Sequence, residues 1–420
     1  MSPNRLHWSP ILISGLLSLG VLWPAQASAS TDLSALQRSL GHQMALAGSA
    51  DGAYVYDITA KQALYSLRAS TRRPPASVEK LYTATTALER LGASARMSTS
   101  VLGVGHLAPG GVWEGDLYLH GGGDPTFGSS SFIRSHYGGL GASISTLAAQ
   151  LAHKDGIRKV TGTVNGDESF FDSLRGEPSS DYAPDPFLEG TLSALAFNRG
   201  EVGSEKGVHA PAAYAARQLR RALRSIGVAV PGSGTASTAP PGAVELAKVS
   251  SPTISQLLGL MLPPSDNFFA ETLLKDIGAL VGGAGTTKAG AAVVSSTISE
   301  LLEIKPRVLD GSGLSESDRT SPYEVADLLV ELEPTAIGAT LREHLAIAGI
   351  TGTLELRMRD TIAAGHCEGK TGTLTGASNL VGYCQAADGH LLAFTIFNDD
   401  ISTGAAHAFQ DRMVIAIAGY

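Results

Sequence analysis

Short apolar and aromatic runs bounded by polar residues, Gly-Ala-Tyr-Val-Tyr-Asp at 52–57 and Gln-Ala-Leu-Tyr-Ser at 62–66, read as two short strands around a turn. Pro74-Pro75-Ala76 stops the extended chain. A helix is predicted from about Ser77 to Leu91, with Leu81, Leu88 and Leu91 available for burial and Gly92 as its end signal. From about residue 95 the texture changes. Glycine-rich strands such as residues 113–119 alternate with helical stretches, Gly121-Gly122-Gly123-Asp124-Pro125 reads as a tight turn, and a polar stretch from Pro231 to Gly242 closes the region. Helical periodicity returns from about residue 250 through Ile254, Leu257, Leu258 and Met261. The chain ends in strands near 380–385 and 391–398 and a last helix. These shifts predict an α/β (α+β) fold in which one α/β unit, residues 95–249, interrupts a larger domain formed by residues 30–94 and 250–420.

Composition narrows the class of protein. The chain has 420 residues, 43% of them hydrophobic and 17% charged, enough to bury a large core and unlike a disordered chain. Formal net charge is −8, from 31 Lys and Arg against 39 Asp and Glu, which argues against the dominant basic surface of a nucleic-acid binder. The densest basic cluster, Arg217, Arg220, Arg221 and Arg224, has the spacing of one helix face and reads as a solvated surface.

At the N-terminus, Arg5 precedes an apolar run from Ile11 to Trp23, and Pro24 breaks it before Ala25-Gln26-Ala27-Ser28-Ala29. That is the layout of a secretory signal, and the run is too short to cross a bilayer comfortably. Residues 1–29 are therefore expected to be a signal peptide. The mature protein is expected to start near Ser28 or Ser30 and to be exported to the periplasm or cell-wall space, with peripheral membrane contact at most. Cys367 and Cys384 flank the turn at Thr375-Gly376 symmetrically and would face each other across a hairpin. An exported setting permits a disulfide there, and two free buried thiols fit the same placement. None of the 11 His lies in a His-Glu-x-x-His or similar ligand spacing, so no metal or other cofactor is expected; a lone His such as His366 is more often structural.

Three short motifs carry chemistry. In Ser77-Val78-Glu79-Lys80, three-residue spacing on a helix puts Ser77 and Lys80 on one face, and a serine hydroxyl becomes a nucleophile once a neighbouring base takes its proton. Ser265-Asp266-Asn267 precedes a helical run; its hydroxyl can relay a proton and its amide can bond a peptide backbone, although all three residue types also suit an ordinary helix N-cap. Lys370-Thr371-Gly372-Thr373 opens an apparent strand. Lys370 and Thr371 offer charge and a donor to a carboxylate, and Gly372 lets a substrate lie against the strand edge. Each has a bland explanation alone. Their order, separations and settings together match the active-site-serine acyltransferases that include penicillin-binding proteins and serine β-lactamases.

Longer runs sharpen the match. Residues 74–92 (PPASVEKLYTATTALERLG), 115–127 (GDLYLHGGGDPTF), 265–278 (SDNFFAETLLKDIG), 310–322 (DGSGLSESDRTSP) and 369–383 (GKTGTLTGASNLVGY) resemble the D-alanyl-D-alanine carboxypeptidase/endopeptidases, the low-molecular-weight class C penicillin-binding proteins. The resemblance covers most of the chain beyond the signal. It implies a penicillin-binding/serine β-lactamase-like transpeptidase domain with an antiparallel sheet and helices, acting on peptidoglycan stem peptides and inhibited covalently by β-lactams. It further implies Ser77 as nucleophile, Lys80 as its base, Ser265 with Lys370 as the route of the proton to the leaving D-alanine, and Asn267 as a substrate-orienting residue. The backbone N–H groups of Ser77 and Thr373 would form an oxyanion hole and Thr371 would hold the terminal carboxylate. Arg319 matches an arginine beside the substrate pocket in some members, and Asp167 an aspartate that recognises the amino end of a diaminopimelate side chain. One departure stands out: relatives commonly carry a further small β-rich domain where residues 201–216 are all that intervene here. Two rival readings remain, a serine β-lactamase and a noncatalytic penicillin-sensing wall protein. Against the first, no Glu-x-x-Leu-Asn sequence occurs between Ser77 and Ser265.

Overall fold

The computed structural model describes residues 25–420 apart from residues 203, 204 and 207. The apolar run of the expected signal lies outside the described residues, and the small-residue stretch that follows it opens a helix, Ala25–Ala47.

Two sheets organise the chain. The larger has six strands in the order Ala346–Ile347, Cys367–Leu374, Ala377–Gln385, Leu391–Asp399, Gly52–Asp57 and Gln62–Leu67, with every neighbouring pair antiparallel. Its central strands are buried on both faces, and period-two alternation divides their side chains between two cores. Leu380, Cys384, Leu392, Phe394 and Ile396 meet Leu36, Leu40 and Met44 of the first helix and Met413, Val414 and Ile417 of the last, Thr403–Ala418. Val381, Tyr383, Ala393 and Phe397 point the other way, into a larger helical core.

That helical core is centred on Asn267–Leu280, which is buried all along from Phe268 to Gly278. A helix apolar on most sides belongs in the middle of a domain. Phe268, Phe269, Leu273, Leu274 and Ile277 are each at most 4% exposed, and burying each contributes roughly 1.5–3 kcal/mol. Around it lie Lys80–Arg90, Ile254–Met261, Thr287–Leu302 and Pro322–Leu332.

The second sheet draws every strand from between Ser98 and Ser250. Val244–Ser250, Ser98–Ala108 and Val112–Gly121 run antiparallel, and Thr163–Asp167 and Gly232–Ala236 continue it in parallel. Helices Ile144–Ala149 and Pro211–Ser225 cover it through a separate apolar core. Pro211 stands in the first turn of its helix, where its missing N–H costs nothing. Arg217, Arg221 and Arg224 lie exposed on that helix and Arg220 is half-buried. Where relatives were expected to carry a further domain, the described chain forms only a short antiparallel pair, Glu201–Val202 with Glu205–Lys206.

Candidate active site

The three motifs converge at one end of the six-stranded sheet. Pro75 leads into Ala76, whose φ of +49° turns the chain into a 3-10 helix, Ala76–Glu79, that passes directly into the α-helix Lys80–Arg90. The continuous α-helix expected from Ser77 therefore begins three residues later, and Ser77 and Lys80 are related by the tighter 3-10 turn, in which side chains three apart eclipse. Ser77 is half-buried and Lys80 completely buried.

Lys80 Nζ donates to Ser77 Oγ at 2.9 Å, Asn267 Oδ1 at 2.6 Å and the Ser312 carbonyl at 2.8 Å. Those three bonds use all three ammonium donors. Burial pushes Lys80 down to about 8, against the opposing pull of Asp310 and Glu271. A second lysine faces the same space. Lys370 Nζ donates to Ser265 Oγ at 2.7 Å and to the Thr371 carbonyl at 2.7 Å. It is held well below the ordinary lysine value by burial first and by the charge of Lys80 second. Each lysine thus has a serine hydroxyl within proton-transfer distance.

Ser265 sits at φ +66° in the turn before the central helix. The cap of that helix is Asp266, which accepts from Phe269 N, so the capping role falls to the middle residue of the motif and leaves Ser265 to Lys370 and Asn267 to Lys80. Asp266 also takes a two-pronged ion pair from Arg199, at 2.6 and 3.0 Å. Arg199 is 8% exposed, lies over the Phe268 ring and donates to the Glu189 carbonyl. Sequence reading missed this residue, since an arginine in Phe-Asn-Arg-Gly carries no local sign of its partner. Arg199→Met would leave the partly buried Asp266 carboxylate without its cation, and a loss of about 2–3 kcal/mol in stability is expected. A urea midpoint unchanged from the parent protein would refute that assignment.

The third motif lies at the end of a strand, not at its start. Cys367–Leu374 runs antiparallel to Ala377–Gln385 in the register Lys370↔Val381, Gly372↔Asn379, Thr373↔Ser378. A Cβ on Gly372 would come within 2.5 Å of the Pro75 carbonyl oxygen and 3.1 Å of Val78 N, so the strand lies flush against the start of the Ser77 helix. Asn379, opposite Gly372, donates to the carbonyls of Pro74 and Pro75 at 2.9 and 2.8 Å and ties helix start to strand. Its presence in Gly-Ala-Ser-Asn-Leu gave no hint of that reach. Thr371 Oγ1 donates to Thr353 Oγ1 at 2.8 Å. Cys367 and Cys384 stand directly opposite in register and are joined as a disulfide, three residues before Lys370.

These residues open on a cleft of about 930 Å³ lined by Ser77, Asn267, Phe187, Glu316, Thr373 and Leu374 among others. Phe187 is 72% exposed at its rim, and its carbonyl accepts from Asn267 Nδ2 at 2.8 Å. The remaining two sequence-derived residues are placed apart. Arg319 is half-buried behind the rim and donates to the carbonyls of Glu316 and Asp318. Asp167 is 2% exposed at the end of a strand in the second sheet. Burial alone would raise its proton affinity, but hydrogen bonds from His120, Ser169 N and Ala239 N outweigh it and hold the carboxyl below the usual range. Its oxygens are occupied within the protein, so the structure does not bring Asp167 into the cleft as a free recognition group.

A half-buried serine beside a buried lysine, a second serine–lysine pair and a flush strand edge have the layout of the penicillin-recognising serine acyltransferases. Residues 33–191 and 187–419 match the D-Ala-D-Ala carboxypeptidase 3 (S13) family, and the chain belongs to that family; it is a DD-peptidase. It is 31% identical to the D-alanyl-D-alanine carboxypeptidase of Actinomadura sp. (strain R39), over 90% of this chain and 82% of that protein. Among solved structures, penicillin binding protein 4 from Haemophilus influenzae superposes with a TM-score of 0.76 at 21% identity, covering 92% of this chain and 99% of that one. A penicillin G acylated predatory endopeptidase from Bdellovibrio bacteriovorus matches with a TM-score of 0.52 at 17% identity, over 86% of this chain and 90% of that one. Among the described residues, no helix is long and apolar enough to cross a membrane.

Proposed function

We propose that this DD-peptidase cleaves the D-alanyl-D-alanine bond of peptidoglycan stem peptides through an acyl-enzyme on Ser77, and that penicillins acylate the same oxygen. The observation that carries the reading is the position of Lys80, within 2.9 Å of Ser77 Oγ and fixed there by Asn267 and Ser312. In this scheme neutral Lys80 takes the Ser77 proton as Oγ bonds to the carbonyl carbon. The oxyanion forms beside the Ser77 and Thr373 N–H groups. Ser77 N–H lies in the first turn of a helix, where amides have no intrahelical acceptor. Each preorganised donor of this kind supplies roughly 10²–10³ in rate. The intermediate collapses by breaking the C–N bond, and the departing amine receives its proton through Ser265, which Lys370 restores. Water then cleaves the ester. Thr371 receives the terminal carboxylate, Gly372 leaves room along the strand edge and Asn267 orients the peptide.

Support also comes from the Bdellovibrio endopeptidase of the same fold, whose penicillin G acyl form is known. The scheme calls for no metal or cofactor. Residues 1–29 act as an export signal in this reading, residues 95–249 form a single inserted unit, and the mature enzyme works in the periplasm or cell-wall space. In this reading Arg319 and Asp167 act on the substrate through rearrangement of the bonds described above.

The test is to incubate purified protein with penicillin and, separately, with a stem pentapeptide ending in D-alanyl-D-alanine. One covalent penicillin per chain, mapped by mass to the Ser77 peptide, and release of D-alanine are expected. Rapid penicillin hydrolysis without a lasting adduct would favour a β-lactamase, and no adduct with no D-alanine release would leave a noncatalytic binder.

A further inference from the structure

Behind Lys80 lies a group of buried carboxyls that the reaction scheme does not use. Glu271, on the central helix and completely buried, accepts from Gly311 N at 2.9 Å and Ser312 N at 2.7 Å through one oxygen, Oε1. Those two amides belong to the loop 310–315, whose far side is pinned by Asp310: its carboxyl accepts from Gly313 N and Ser315 N, each at 2.7 Å. The loop has one contact with the catalytic lysine, the Ser312 carbonyl at 2.8 Å from Lys80 Nζ. It also packs flush beneath the helix start, since a Cβ on Gly313 would stand 1.9 Å from the Ala76 carbonyl oxygen. The Ser312 carbonyl shares its peptide plane with the Gly313 N–H, which Asp310 holds, and Glu271 holds the N–H groups of the two planes that precede it.

We infer that Glu271 is a positioning residue for the reaction: by accepting the Gly311 and Ser312 amides it fixes the two peptide planes that lead into the Ser312 carbonyl, whose own plane Asp310 holds, and so keeps Lys80 Nζ against Ser77 Oγ. The inference rests on the reading of Lys80 as the base. Glu271 touches no substrate; its effect passes through one backbone carbonyl. Burial first and Asp310 second push Glu271 up to about 8, and its Oε1 accepts from the two amides in either protonation state. Its other oxygen finds no partner among the described residues. The groups facing Glu271 and Lys80 from surrounding elements are Glu79 on the Ser77 helix, Asp310 on the loop with Asp318 behind it, Asp266 at the cap of the central helix and Lys275 on that helix, Glu177 and Glu189 from the inserted region, and Lys370 on the strand.

Two substitutions test this, with the rate of penicillin acylation measured from pH 5.5 to 9.5 on intact enzyme. Glu271→Gln keeps an oxygen for both amides and cannot ionise, and its plateau rate is expected to stay within about threefold of the parent. Glu271→Leu keeps the bulk and removes the acceptor. Its plateau is expected to fall by about 10- to 100-fold, the cost of a misplacement on the order of 1 Å. Its acid limb should move to lower pH, because an ammonium that loses a carbonyl acceptor holds its proton less tightly. A merely structural defect reduces the fraction of chains that take penicillin and leaves the limb of the remainder in place. Glu271→Leu with the parent's rate and limb overturns the inference, as does a tenfold or larger loss in folded Glu271→Gln; the latter decides alone if the leucine variant does not fold. A parent enzyme that takes no penicillin at Ser77 strikes the proposed function instead, so the two failures are distinct.

Discussion

Ser77→Ala is expected to take no covalent penicillin and to release D-alanine at least about 10⁴-fold more slowly than the parent enzyme, since removing the nucleophile of a coupled catalytic group costs nearly all of its catalysis. The fold should survive. Ser77 Oγ has one partner in the resting structure, Lys80 Nζ at 2.9 Å, and a single hydrogen bond of this kind contributes only about 0.5–1.5 kcal/mol. The cleft walls are untouched, so the variant should still bind penicillin reversibly, which equilibrium binding can measure beside the mass spectrum. Loss of both binding and labelling would point to damage of the cleft and not to loss of a nucleophile. Labelling that persists in Ser77→Ala would move the acyl group elsewhere, and the first candidate would be Ser265, whose hydroxyl lies 2.7 Å from Lys370 Nζ.

Much of this arrangement could be read in the sequence, for a physical reason. Ser77 and Lys80 are linked by local helical geometry, and Lys370, Thr371 and Gly372 by strand alternation, so motif and setting are written in adjacent residues. Local reading failed where the partner lies far along the chain. Arg199 meets Asp266 across 67 residues, and Asn379 meets Pro75 across 304. Glu271 reads as one more polar residue on a helix until the loop at 310–315 folds over it. The cap of the central helix shows the same limit: Ser265, Asp266 and Asn267 are all competent caps, and only the fold assigns that duty to Asp266 and leaves Ser265 to Lys370 and Asn267 to Lys80. Asp167 shows the limit from the other side: the resemblance implied a recognition group, and its hydrogen bonds to His120 and two backbone amides are visible only in the fold.

The two lysines occupy opposite electrostatic settings, and this bears on which proton moves first. Lys80 is surrounded by Asp310, Glu271, Asp266 and Glu189, which restrain the fall in its proton affinity. Lys370 has burial and the charge of Lys80 against it, so it is the weaker holder of a proton. Environments that push two titratable groups apart separate their duties. One lysine can serve as the base that exchanges a proton with Ser77, and the other can relay through Ser265 without competing for it.

Lys80→Arg separates charge from basicity. Arginine keeps the positive charge and the donors toward Asn267 and Ser312, but a guanidinium does not release its proton at any pH a protein survives. Acylation by penicillin and peptide hydrolysis are both expected to fall by about 10²–10⁴-fold, the usual contribution of a general base. In the parent enzyme, a lysine at about 8 is neutral in roughly one chain in ten at pH 7. The acylation rate should therefore climb about tenfold from pH 6 to pH 7 and level off above pH 8, because the active form is the deprotonated one. The arginine variant should lose that limb together with its rate. If Lys80→Arg kept more than a tenth of the parent's acylation rate, or if the parent's rate were flat from pH 6 to pH 8, Lys80 would be acting as a fixed charge and the Ser77 proton would need another acceptor.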